Sequence, residues 1–259
     1  MEAITRALSR RDVLGGVAGI VAGAAAGAVG DAIAQTPRLR RFQTVIDLTH
    51  VMSPEFPTIL GVPGIEMQKQ FDFKKNGFNL YWWRIIEHAG THMDAPIHFT
   101  ESGATAEKLT AEALVVPLAV VNVAAQAAQN ADYLLSRQDL VDWEERHGRL
   151  PDNCCVAMDS GWAQHVTNPA KFTGKDVAGA LHFPGIGPEA AEWLLTERRA
   201  AGLAVETMSL DHGPSKDFKT HYLWLSAGRW GIEGIANLGK VPAVGATLVA
   251  GLAKVRGII

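Results

Sequence analysis

Eleven consecutive residues, His88-Ala89-Gly90-Thr91-His92-Met93-Asp94-Ala95-Pro96-Ile97-His98, limit what this chain can fold into. They bring three imidazoles and a carboxylate together, spaced by small or rigid residues. Neutral imidazole nitrogens and carboxylate oxygens suit zinc, manganese or a similar divalent ion. His88, His92, Asp94 and His98 share parity, so an extended chain turns all four to one side. Full extension would carry His92 roughly 13 Å from His88, too far for one ion. Gly90 offers the place to bend. A helix would align His88 with His92, but Pro96 lacks a backbone donor and clashes with an earlier carbonyl. The stretch is therefore expected to be a kinked strand running into a loop, not the helical metalloprotease arrangement. A lone histidine usually marks a solvated loop; four such donors at this spacing point to a metal site.

The rest of the chain sets the frame for that site. At 259 residues it can bury a sizeable core as one large domain or two small ones. A formal charge of −3 provides no basic field for nucleic acid or anionic lipid. Its two cysteines, Cys154 and Cys155, are adjacent and cannot make an ordinary bridge, so buried thiols in a strand are expected. At the amino terminus, Ser9-Arg10-Arg11-Asp12-Val13-Leu14 resembles a twin-arginine export motif, followed by a Gly/Ala-rich run to Val29. Ala32-Ile33-Ala34 then supplies a small-x-small cleavage site before Gln35. The run is near spanning length, but Gly and Ala insert poorly, which favours a cleaved signal over an anchor. The expected layout is an export signal over residues 1–34 and one domain over 35–259, located in the periplasm without stable membrane insertion.

Residues 44–50 look like the first strand, and the two prolines of Met52-Ser53-Pro54-Glu55-Phe56-Pro57 mark a loop. Residues 65–73 alternate, Asn76-Gly77 signals a hairpin, and residues 78–86 return as a strand feeding into His88. A short helix is expected over residues 107–115 and a buried strand over 118–123. Ser136 caps a helix over 137–147, with Asp139 at its third position and Gly148 ending it. Cys154 to Ser160 forms another strand. Pro188 opens a helix that Gly202 stops, a strand follows at 205–210, and a last one lies within 243–252. Strands and helices alternate loosely, so the fold class is a single mixed α/β domain. Of the aromatic residues before the motif (Phe56, Phe71, Phe73, Phe78, Tyr81, Trp82 and Trp83), most are expected in the core.

The motif meets every defined position of H-x-G-T-H-x-D-x-P-x-H, and on it the chain resembles the metal-dependent cyclase superfamily, which includes kynurenine formamidases and isatin hydrolases. The resemblance runs from Ile46-Asp47-Leu48-Thr49 to Ala236-Asn237-Leu238. It implies a β-rich central layer or partial barrel flanked by helices. It also implies that His88, His92 and Asp94 hold a divalent ion, Zn or Mn, with His98 as acid/base. A second signature, His221 and Glu233 twelve residues later, implies a second ion bridged by Asp94; some relatives use one ion, so both stoichiometries stay open. His182, in His182-Phe183-Pro184-Gly185, resembles a family loop near the site, and Phe56 and Trp83 are candidate substrate contacts. Relatives are commonly homo-oligomers. Where kynurenine formamidases carry a Trp-Pro-Gly-Asp-like turn, this chain has Ser53-Pro54-Glu55-Phe56-Pro57, which puts the formamide substrate in doubt.

The chemistry needs two separate roles. An ion lowers the pKa of water and polarises a carbonyl. A free imidazole moves the proton to the leaving nitrogen. The expected activity is hydrolysis of a C–N bond in an aryl formamide, N-formylkynurenine-like, or in a cyclic amide, isatin-like. Two alternatives stand beside it: a lactone hydrolase of the same superfamily, and a non-catalytic periplasmic metal- or ligand-binding protein. His98 favours an enzyme, since pure binding needs no proton donor.

Overall fold

The computed structural model describes residues 42–259, so the expected export signal and the linker over 35–41 lie outside the described residues. The described fold is the compact unit Thr44–Ile259. In chain order its main elements are strands β1 (Ile65–Phe71), β2 (Leu80–Ile85), β3 (His92–Asp94) and β4 (Val115–Asn122) and helix α1 (Arg137–His147). Strand β5 (Cys155–Asp159), helix α2 (Pro188–Trp193), strand β6 (Gly202–Val205), helix α3 (Lys219–Ser226) and strands β7 (Trp230–Glu233) and β8 (Ala246–Val249) complete them.

Six strands make one curled mixed sheet, a half-barrel in the order β8-β4-β5-β6-β7-β3. The four central strands run parallel, and β8 and β3 close the edges antiparallel. Parallel strands buried on both faces need continuous apolar sequence, which Val120-Val121 and Cys155-Val156-Ala157-Met158 supply. Alternation sends Val121, Val156, Met158, Leu203 and Val205 to one face, under Leu140, Trp143, Trp193 and Trp224 of the helices. Leu118, Val120, Cys155, Ala157, Ala204 and Ile232 fill the other face with Leu109, Leu114 and Leu248. Both thiols are fully buried. The single mixed α/β domain with a partial barrel and flanking helices is thus the observed class.

Helix α1 starts and stops where its caps dictate. The Ser136 hydroxyl accepts from the Asp139 amide, the Asp139 carboxylate accepts from the Ser136 amide, and Gly148 follows the last turn. Trp143 anchors the helix to the sheet through Nε1 donating to the Val120 carbonyl at 2.9 Å.

Several expected elements are corrected. Residues 44–50 form no strand, because Asp47 accepts from the Thr49 amide and hydroxyl and curls the backbone, leaving single bonds such as Ala236 N to Leu48 O in place of a ladder. The helix expected over 107–115 is two separate 3₁₀ turns, Ala106–Lys108 and Glu112–Leu114. Gly202 begins β6 and does not stop a helix: a Cβ there would come within 2.2 Å of the Trp230 ring. The helix ends earlier, through a π-turn Leu194–Arg198 and left-handed Arg199. With the strand begun at Gly202, it ends at Val205, and residues 206–210 leave the sheet. The hairpin connection is a helical turn, Phe73–Asn76, capped by Asp72 and closed by Gly77, wider than a two-residue turn. Finally, the hairpin aromatics are not core: Phe71, Phe73, Phe78, Tyr81, Trp82 and Trp83 are all exposed.

Candidate metal centre

The motif bends as its glycine allows. Gly90 sits at φ +70, and an added Cβ would press on the Met52 sulfur at 2.8 Å. Beyond the bend, His92-Met93-Asp94 becomes edge strand β3, pairing His92 with Glu233 and Asp94 with Gly231. His92, Asp94 and Glu233 therefore share the helix-covered face, and Met93 joins the opposite core. Pro96 opens a 3₁₀ turn that ends at His98 and brings it back over the site. Thr91 straps the bend down, donating to the Gly234 carbonyl and accepting from the His50 amide at 2.9 Å. Helix α3 brings His221 in from the other side.

These pieces converge. His88 Nδ1 lies 2.9 Å and His92 Nε2 3.5 Å from Asp94 Oδ1, and His221 Nε2 lies 3.6 Å from Oδ2. Glu233 reaches His221 Nε2 at 3.0 Å and His92 Nε2 at 3.4 Å. His88 Nδ1 and His92 Nε2 face each other at 3.3 Å. Donor atoms of His88, His92 and Asp94 all fall within 4.8 Å of one another, as do those of Asp94, His98 and His221. The structure thus brings together His88, His92, Asp94, His98, His221 and Glu233, with Asp94 common to both groups.

The arrangement makes a poor hydrogen-bond network and a good ligand set. Asp94 is 0% exposed, yet neither carboxylate oxygen accepts a hydrogen bond, its close neighbours being the imidazoles of His88, His92 and His221. An unsatisfied buried carboxylate is costly unless another partner fills the space between the groups. A divalent cation fits that description: the donors are nitrogen and carboxylate oxygen, and the far sides of two imidazoles are already held. His92 Nδ1 bonds the Gly90 carbonyl at 3.1 Å, and His221 Nδ1 bonds Asp211 Oδ2 at 2.6 Å, so both Nε2 atoms point inward. Burial opposes charge on His92, but Asp94 and Glu233 outweigh it and lift the pKa to about 10. His221 behaves alike, lifted to about 11 against burial by Asp211, Asp94 and Glu233. Burial also works against the Asp94 charge, yet the surrounding imidazoles hold it well below the usual carboxylate range. Those imidazole protons occupy the positive charge's place that a metal would take.

His98 differs. Burial lowers its pKa, with the Asp94 charge only partly offsetting this, so the ring is neutral at pH 7. It stacks on His88 at 4.0 Å between centroids and meets Phe99 edge-on at 4.6 Å. The three candidate substrate contacts have partners of their own. Phe56 is buried against His50 and Phe172, Trp83 stands exposed on β2 opposite Met67, and His182 bonds Asp132 and faces Asp176. Sequence alone assigns no role to Thr91 or Asp211. Thr91 carried a signal as a defined position of the motif; Asp211 had none beyond its place in the second segment.

Residues 46–212 match the family model described as "Putative cyclase". The chain belongs to the cyclase family. It is 29% identical over 228 residues to an isatin hydrolase of Roseibium aggregatum, covering 82% of this chain and 86% of the relative. It also superposes on isatin hydrolase A from Ralstonia solanacearum with a TM-score of 0.77 at 32% identity, over 82% and 87% of the two chains. Isatin hydrolase A from Labrenzia aggregata, bound to benzyl benzoate, gives 0.76 at 31%, over 82% and 88%. This cyclase-family chain is a hydrolase with a donor set suited to a divalent metal.

Proposed function

We propose that the protein hydrolyses the C–N bond of a cyclic amide of the isatin type, using one or two Zn or Mn ions held by His88, His92, Asp94, His221 and Glu233. The observation that carries this is the fully buried Asp94 with both oxygens unbonded among inward-facing imidazoles. Similarity to isatin hydrolases supports the substrate class. A divalent ion there lowers the pKa of water and polarises the amide carbonyl. Gly90 and Asp211 hold His92 and His221 in register for it. Neutral His98 accepts a proton from the attacking water as the C–O bond forms and passes it to the departing nitrogen as the C–N bond breaks. Its depressed pKa suits the first half of that task.

A second assignment of one residue has its own support: His98 falls within the Asp94–His221 group, so with two ions it would ligate. His98→Ala decides between them. A proton carrier leaves metal content unchanged and lowers kcat by about 10²–10⁴-fold; a ligand loses metal. Turnover of isatin, N-formylkynurenine and simple lactones, followed by absorbance, tests the substrate class. Isatin is expected to be cleaved fastest, and no turnover of any of them would favour a binding protein. The Arg10-Arg11 segment supports export to the periplasm, and the exposed hairpin supports a homo-oligomer.

A further inference from the structure

Four non-glycine residues among those described hold a left-handed backbone: Asn153, Arg199, Phe218 and Asn237. Asparagine tolerates that region, and Arg199 ends a helix, whereas Phe218 is a bulky residue at the start of α3 with φ +46. It gains little burial in return, being 38% exposed. Its backbone is pinned on both sides, the amide donating to Ser215 Oγ and the carbonyl accepting from the Tyr222 amide. Strain of this kind persists where the surroundings over-determine it, and it gathers at ligand sites.

The ring lies beside the metal centre. Its centroid is 6.0 Å from that of His221 and 5.7 Å from that of Phe99. Phe99 in turn lies 4.7 Å from His221, 4.6 Å from His98 and 4.8 Å from Tyr222, which is 55% exposed. Phe218 thus borders His221 directly, and Phe99 links both open rings, Phe218 and Tyr222, to His98. We propose that Phe218, with Tyr222 beside it, is the platform on which the aryl ring of the substrate rests while its carbonyl lies at the metal centre. It makes the enzyme prefer aryl over alkyl amides. The proposal rests on the hydrolase function above and adds the residues that select the ring. Aromatic faces recognise a flat ring through offset or edge contacts, and a rigid backbone lowers the ordering cost.

Phe218→Gly tests it, because glycine accepts this backbone without strain. The variant is expected to melt no lower than wild type while KM for isatin rises about threefold to tenfold, the loss falling on KM rather than kcat. Tyr222→Ala is expected to shift KM in the same direction by less. A ring kept only for packing would lower the melting temperature and leave KM unchanged, which overturns the proposal. Binding gives an arm independent of turnover: benzohydroxamate and acetohydroxamate, differing in the ring, are titrated into the metal-loaded full chain. Wild type is expected to favour the aryl compound, and Phe218→Gly to lose most of that preference. Preference lost in the variant without any isatin cleavage by wild type would sink the substrate class and keep the platform. Preference absent from wild type, or retained by the variant, would sink the platform whatever the turnover.

Discussion

Asp94 leaves both carboxylate oxygens without a hydrogen bond, whereas Asp211, also buried, accepts from the Thr220 amide, the His221 amide and His221 Nδ1. The first is poised for a cation and the second fixes a ring that serves it. Asp211→Asn keeps the size and removes the charge behind His221. Metal affinity, measured by competition with a chelator, is expected to fall about 10–100-fold, with activity partly restored at saturating metal. Unchanged affinity would mean that His221 needs no such support. The donors from His88 to His98 were legible in sequence because they are local and a single bend gathers them. Asp211 was not, since its value depends on a loop returning it to a histidine ten residues on.

At the level of strands, the parallel arrangement sets a polar row where β4, β5 and β6 end: Asn122, Asp159 and, one residue beyond β6, Glu206. Asn122 Nδ2 donates to Asp159 Oδ2 at 2.6 Å. Glu206 Oε2 accepts from the Ser160 amide and hydroxyl and the Trp162 amide. Burial, reinforced by the Asp159 charge and opposed by these bonds, raises the Glu206 pKa from 4.5 to about 7. An acid whose folded pKa is raised binds its proton more tightly when folded. Its stabilising effect is therefore complete below about pH 4.5 and lost as pH climbs to 7, by up to roughly 3 kcal/mol. Glu206→Gln should keep the acceptor and remove the titration. Urea melts at pH 5 and pH 8 are expected to show the variant gaining on wild type at the higher pH; parallel slopes would contradict this. The sequence places Glu206 inside a strand over 205–210. The apolar run there was legible, but the close approach of Trp230 that moves the strand forward to Gly202 is a tertiary contact. Helix α1 was legible to the residue because its caps are local.

For the molecule as a whole, the hairpin of β1 and β2 is the element whose large apolar side chains stay most exposed. It is a separate two-stranded sheet, with Trp82 66% and Trp83 68% exposed on opposite faces. A lone hairpin is marginal in water, and so large an apolar surface marks an interaction site. A homo-oligomer built on this hairpin is expected by sedimentation velocity, and Trp82→Glu/Trp83→Glu should shift it to monomer; a wild-type monomer would refute the assembly. The aromatic pattern was legible, but its burial was assigned to the chain's own core, and alternation alone does not tell a core from a partner. The cyclase-family class, the mixed sheet and the donor set follow from the motif and the strand pattern together. The proposed hydrolysis depends on a metal, so elemental analysis of unchelated full-length protein, wild type beside Asp94→Ala, is the most direct test. One or two divalent atoms per wild-type chain and almost none in a folded Asp94→Ala variant are expected. Metal-free wild type that still cleaves isatin, or an Asp94→Ala variant with undiminished metal, would contradict the central claim.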